Sequence, residues 1–254
     1  MRQVRVGGHY LEGREQRLWA ALAGLVVLAG TGIALVVSDP GSGLFHPTLL
    51  HLGGGLAAVA TAFRLGRPVT RSLWSVRTGR RGERMVTDLL GGLSDDYWLV
   101  NDLTLGLAHG NIDHVLIGPC GVVVIETKEL AGSIRCWGDD WSVNGYRRES
   151  IGRQVNSGAC AVRYFLSERH PELAATALRW VESLIVFTHP LCRVEAGDAR
   201  ATVVRYSQLY QAVLELSRKH RLAPSTAALL AQTLASSQGR GGAVVRRGAL
   251  TSAS

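Results

Sequence analysis

The sequence predicts a mixed α/β layer domain carried behind a helical hairpin that crosses a membrane. Three observations carry this. A run of twenty residues without a charge, 18–37, lies near the start of the chain, and a second apolar run follows at 47–65. From residue 80 onward, helical patterns alternate with short β-branched runs. With 254 residues, 46% hydrophobic and 19% charged, the chain is too apolar for disorder and long enough for a buried core.

Taken in order, residues 1–17 hold Arg2, Arg5, Arg14 and Arg17 and read as a basic cytoplasmic N-terminus. Residues 18–37, LWAALAGLVVLAGTGIALVV, cover roughly the 30 Å hydrocarbon core at about 1.5 Å per residue. Ten of the twenty are Leu, Ile or Val, each favouring insertion by about 0.3–0.6 kcal/mol near the helix centre. The second run, 47–65, is expected to return across the membrane. It opens on Pro47, which suits a first helical turn, and holds His51 and Gly53-Gly54-Gly55. The turn SDPGSGLFH between the runs has no Lys or Arg, whereas Arg64, Arg67, Arg71, Arg77, Arg80 and Arg81 follow the second. Positive residues flanking both outer ends predict a multi-pass protein of the cell (inner or plasma) membrane with its globular part in the cytoplasm. A cleaved signal peptide fits less well, because the apolar core is too long and ALVVSDP lacks an A-x-A cleavage pattern. Residues 66–79 are read as a basic linker.

The globular block is 80–235. Residues 79–93 place Met85, Val86, Leu89 and Leu90 at helical spacing before a Gly91-Gly92 stop. Residues 97–105 read as a strand. Two more strands, 112–117 and 122–127, meet at the turn sequence GPCG. The run Val122-Val123-Val124-Ile125 marks a strand buried on both faces. Residues 133–137 and 141–143 form a small hairpin across GDD, with Trp137 and Trp141 read as its packing in preference to base-stacking platforms. A long helix follows over 151–168, with Val155, Cys160, Val162, Phe165 and Leu166 as its inner face. Short strands at 183–187 and 201–205 and helices at 207–220 and 224–235 complete the domain. The tail 236–254, poor in large apolar residues, is expected to be disordered.

The net charge of +8 lies in the flanks. Residues 1–79 carry +5 and 236–254 carry +3, while 80–235 balance at zero, so charge alone gives no reason to assign nucleic acid as a partner. The four cysteines, Cys120, Cys136, Cys160 and Cys192, match neither a zinc spacing nor a disulfide scaffold and are expected to be reduced. His189 and Cys192 are too isolated for a metal or nucleophile.

The chemistry concentrates in NIDHVLIGPCGVVVIETKEL, residues 111–130. Side chains two apart on a strand share a face, so Glu126 and Lys128 project together, and a tight turn can bring Asp113 alongside Glu126. His114 and Glu129 point away from them. Carboxylates converging at a buried sheet edge repel one another, and a divalent cation, Mg²⁺ or Mn²⁺, relieves that cost in the usual arrangement for phosphate chemistry. Of 28 basic residues only Lys128 and Lys219 are lysine; a compact ammonium with a movable pKa is what arginine does not supply. On its own, Glu-x-Lys also fits an ordinary surface ion pair.

The surrounding segments carry more. GRRGERMV, Leu99–Val100–Asn101–Asp102–Leu103, the stretch at 111–130, Gly132, Trp141 and the helix holding Gln154 together resemble the nuclease-related domain family, NERD, which resembles the PD-(D/E)XK restriction-endonuclease-like superfamily. The resemblance spans roughly 79–190. It implies an αβββαβ core followed by additional helices, with Asp113, Glu126 and Lys128 as catalytic triad. It also implies Glu83 as a further acid, Gln154 as an assisting residue and the Thr127 carbonyl as a metal ligand with Asp113 and Glu126. The Asn-Pro that often precedes the helix glutamine is replaced here by RRESIGRQV. Arg147, Arg148 and Arg153 form a basic cluster near Gln154 and are candidates for a phosphate backbone. The expected function is a membrane-anchored, divalent-metal-dependent nuclease-like enzyme, with DNA favoured by the resemblance. The alternative is a catalytically silent, membrane-tethered module that binds nucleic acid or protein.

Overall fold

The computed structural model describes residues 1–5, 9–37, 49–106, 108, 110–237 and 243–246. Two compact units emerge: His9–Arg80, and a globular unit built from Met1–Gly8 and Arg81–Ser254. The chain opens with strand β1 (Arg2–Arg5), followed by helices α1 (His9–Val37) and α2 (Leu49–Leu90).

Within the first unit the two helices run antiparallel. Gly32 lies against the Gly55 carbonyl and Ala58, and Glu15 pairs with Arg80 at 2.6 Å. Among the described residues one stretch is long and apolar enough to cross a membrane, Gly13–Ala34, with mean hydropathy 1.7 and only 6% of its window buried. That exposure distinguishes it from the core helix of a soluble domain. The second apolar run, 47–65, falls partly outside the described residues, and its described remainder does not reach the same length and hydropathy. The turn at 38–46 lies outside them entirely. The expected linker at 66–79 is helical: α2 continues through Pro68 to Leu90 and ends at Gly91-Gly92.

The globular unit continues with β2 (Trp98–Thr104), β3 (Asn111–Gly118), β4 (Gly121–Lys128), β5 (Gly132–Trp137), β6 (Asp140–Val143), β7 (Tyr146–Arg148) and α3 (Ile151–Arg169). A short 3₁₀ turn, Pro171–Leu173, leads to β8 (Glu182–Phe187), β9 (Cys192–Gly197), β10 (Thr202–Arg205), α4 (Tyr206–Lys219), α5 (Pro224–Ser236) and β11 (Ala243–Arg246). The main sheet has the order β10-β8-β4-β3-β2-β1-β11, and a smaller sheet the order β7-β6-β5-β9. This is a mixed α/β architecture with the helix, three-strand, helix, strand succession read from the sequence. The small sheet is inserted between β4 and α3, with β9 completing it.

Strand β4 lies inside the main sheet, antiparallel to β3 and parallel to β8. Both its faces are covered, which is why its sequence is a continuous apolar run. Val122 and Val124 join a core with Val155, Val162 and Leu166 of α3 and Leu230 and Leu234 of α5. Val123 and Ile125 join another with Val86 and Leu90 of α2 and Leu209 and Val213 of α4. Each such side chain contributes about 1.5–3 kcal/mol when fully buried. The polar end of β4 is thereby held between two helices that cannot shift without exposing a core.

Two expectations are corrected here. Part of the supposedly disordered tail, Ala243–Arg246, is a strand antiparallel to β1, and β1 itself pairs in parallel with β2, so the basic N-terminus takes part in the sheet. Cys160 is exposed rather than inward, because the buried stripe of α3 runs through Val155, Ala159, Val162 and Leu166.

Candidate active site

The β3–β4 register pairs His114 with Ile125, and one step further sets Asp113 opposite Glu126. The Thr127 amide donates to Asp113 Oδ2 at 2.8 Å, tying the carboxylate to the end of β4. Glu126 is buried at 4% exposure, and Lys128 Nζ donates to its Oε1 at 2.6 Å. Lys128 Nζ also donates to Gln154 Oε1 at 3.0 Å. Ser150 places that glutamine: its Oγ accepts from the Arg153 amide at 3.1 Å and caps α3, so Gln154 falls in the first turn beside β4.

Electrostatics mark the same spot. Asp113 is half-buried, and burial, the Glu126 charge and the Glu83 charge push its carboxyl well above the usual carboxylate range. Glu126 is raised too, by burial first, while Lys128 and Gln154 pull it back down. Glu83, on α2, therefore acts on Asp113 through its charge.

The two faces of β4 separate the roles of its neighbours. Glu126 and Lys128 look toward α3; Thr127 and Glu129 look toward α2, where Gly82 sits against Thr127, Glu129 and Thr188. A Cβ at Gly82 would lie 2.9 Å from Thr188 Oγ1 and 3.2 Å from Thr127 Cγ2, so the close approach of α2 to the strand end requires glycine. His114 is buried with Nδ1 2.7 Å from Asn101 Oδ1, and burial pushes its pKa down to about 3. It is a neutral core histidine.

The three arginines divide. A groove of about 1100 Å³ opens from Lys128 and Gln154 and is lined by Arg147, Arg148 and Arg153. Arg147 pairs with Asp140 at 3.0 Å. Arg148 and Arg153 have no carboxylate partner among the described residues. Asp102, which the sequence offers only as part of the stretch 99–103, has φ +59° at the point where β2 would pair with Asp113. A positive φ at an aspartate within a strand was the signal, and only the backbone carries it.

Among the described residues no three His, Cys, Asp or Glu side chains form a ready-made cation cage. Two carboxylates of raised pKa beside a strand-end carbonyl do suit Mg²⁺, which keeps several waters and asks for one or two carboxylates.

A mixed sheet with paired acids, a lysine and a helix glutamine at one strand end defines a candidate phosphate-chemistry site. Residues 78–188 match the family model described as NERD, nuclease-related domain. That segment holds every residue of the acidic site and its groove, and its likeness supports a nuclease-like function. No curated protein and no solved structure matches the chain.

Proposed function

We propose that this chain is a membrane-anchored, divalent-metal-dependent nuclease-like enzyme that hydrolyses nucleic-acid phosphodiesters, DNA in the first instance. On this reading its core is restriction-endonuclease-like, α2-β2-β3-β4-α3-β8, and 13–34 anchors it, with the apolar start of α2 returning across the bilayer and the globular unit cytoplasmic. The observation that carries the proposal is the convergence of Asp113, Glu126, Lys128 and Gln154 on one face of the β4 end.

Asp113 and Glu126 would hold Mg²⁺ or Mn²⁺, together with the Thr127 carbonyl. In an extended strand that carbonyl points to the same side as the Thr127 amide, which already meets Asp113. The bound cation supplies charge stabilisation at the phosphorus. Lys128 Nζ, aimed by Glu126 and Gln154, donates to the attacking water and orients its lone pair toward phosphorus. As the new P–O bond forms, the P–O bond to the leaving sugar oxygen breaks; the water's proton passes to solvent and the leaving oxygen takes one from solvent, ending as a hydroxyl. Arg148 and Arg153 hold the flanking phosphates.

The test is cleavage of labelled DNA and RNA by the full chain in detergent, with Mg²⁺ or Mn²⁺. Wild type should cleave, and Glu126→Gln and Lys128→Ala should lose at least about a hundredfold. Equal activity in all three would overturn the assignment. Tight binding of nucleic acid that ignores both metal and these substitutions would instead support a silent binding module.

A further inference from the structure

The groove does not end at the arginines. It adjoins a second hollow of about 800 Å³ over the small sheet, lined by Arg135, Trp137, Asp140, Arg147, Glu195 and Gly197, and the two share Asp140 and Arg147. At its far side stands Trp137, 73% exposed, whereas its hairpin neighbour Trp141 is buried. The reading of both tryptophans as hairpin packing holds only for Trp141.

The reason Trp137 is presented lies in the register. β5 runs parallel to β9 with Trp137 opposite Gly197, and a Cβ at Gly197 would overlap the indole at Cζ3 and Cε3. The ring therefore rests with one side on the bare Gly197 backbone and leaves the other open. An aromatic face held in place and left uncovered beside a groove is available for a base to stack on.

The charges around it are sparse. Arg135 and Arg147 are each tied to a carboxylate, Glu195 at 2.9 Å and Asp140 at 3.0 Å, and the block 80–235 has no net charge. Gripping a duplex, which shows phosphates on two strands and hides its base faces, calls for more unpaired cations than this. A single strand is held by cations along its backbone together with aromatic side chains on which its unpaired bases stack, and Arg148, Arg153 and Trp137 supply both kinds of contact along this groove.

We infer that the substrate is taken as single-stranded nucleic acid, its backbone passing from the Asp113–Glu126 site along Arg148 and Arg153, with an unpaired base stacked on Trp137. The inference rests on the phosphodiester reading of that site and narrows it to one form of substrate.

Binding is measured by fluorescence anisotropy with the full chain in detergent and EDTA, so that no cleavage intervenes. The probes are an oligothymidylate and an oligouridylate of about a dozen nucleotides, matching the span of such sites, and a blunt DNA duplex. Wild type should bind at least one single strand more tightly than the duplex. Trp137→Ala should weaken that binding about tenfold, as expected for one stacked base, and Trp137→Phe should retain most of it. Neither should alter duplex binding or the melting temperature. Duplex preferred by wild type, or single-strand affinity indifferent to Trp137→Ala, would overturn the inference. The cleavage assay separates the two readings. Duplex cleavage that needs Glu126 and not Trp137 would sink this inference alone, and Trp137-dependent binding without cleavage would sink only the catalytic reading.

Discussion

Lys128 Nζ lies 2.6 Å from Glu126 Oε1, with Glu126 buried at 4% exposure and the lysine held from its other side by Gln154. A buried carboxylate paired with one cation and set opposite a second carboxylate is a costly arrangement unless the site is used. It makes Lys128 a fixed donor at the mouth of the groove rather than a surface lysine.

Replacing Lys128 by Met should therefore lower kcat by about two to three orders of magnitude, the usual loss for one preorganised donor, with a smaller change in KM. Lys128→Arg should not restore it, since a planar guanidinium cannot place a single compact donor between Glu126 and Gln154. Single-turnover cleavage separates the two parameters.

Asp113 bears on stability in the opposite sense to an ordinary paired carboxylate. Burial, Glu126 and Glu83 raise its folded pKa above the unfolded value, so the stability it contributes is fully present in acid, below the unfolded pKa. That stability is lost as pH rises through the folded pKa. At pH 8 without metal, Asp113→Asn should melt about 2–4 °C higher than wild type, the shift expected for ~1 kcal/mol in a domain of this size. Mn²⁺ should raise the wild-type melting temperature and leave the variant unmoved. Thermal scans with and without Mn²⁺ check both.

His114 works the other way on the pH axis. Its folded pKa lies near 3, below the ordinary 6.5. The unfolded chain therefore gains its proton first, and folded stability falls as pH drops from about 6.5 toward 3. His114→Leu combined with Asn101→Leu, which removes both members of the hydrogen bond, should flatten urea stability over that window. An unchanged slope would show that other groups carry the acid sensitivity.

Gly82→Ala should cost about 1–3 kcal/mol through overpacking and reduce cleavage as well, because the new methyl meets Thr188 and Thr127 at the back of the site. Thr188 Oγ1 has no hydrogen-bond partner, so Thr188→Ala removes the obstacle without breaking a bond. The double variant should recover much of the loss, a coupling that a double-mutant cycle reads directly.

Much of this site was legible because strands have a period of two. The β-branched run after GPCG identified a buried strand, and counting along it put Glu126 and Lys128 on one face and Glu129 on the other. What stayed hidden depends on partners remote in sequence. Nothing near Trp137 says that Gly197 lies beneath it, and nothing in residues 2–5 says that they pair with β2. Residues 66–79 read as a linker, yet α2 passes through them, Pro68 included. A helical stripe drawn from large residues alone turns Cys160 inward and overlooks Ala159, which holds the buried position beside it.

The most direct test of the account is calorimetric titration of Mn²⁺ into the full chain in detergent, wild type beside the Asp113→Ala/Glu126→Ala double variant. Saturable binding by wild type that vanishes in a double variant still folded by circular dichroism is the expected result. Equal binding by both would place the cation elsewhere and contradict the assignment of the β3–β4 strand ends as the metal-dependent catalytic site.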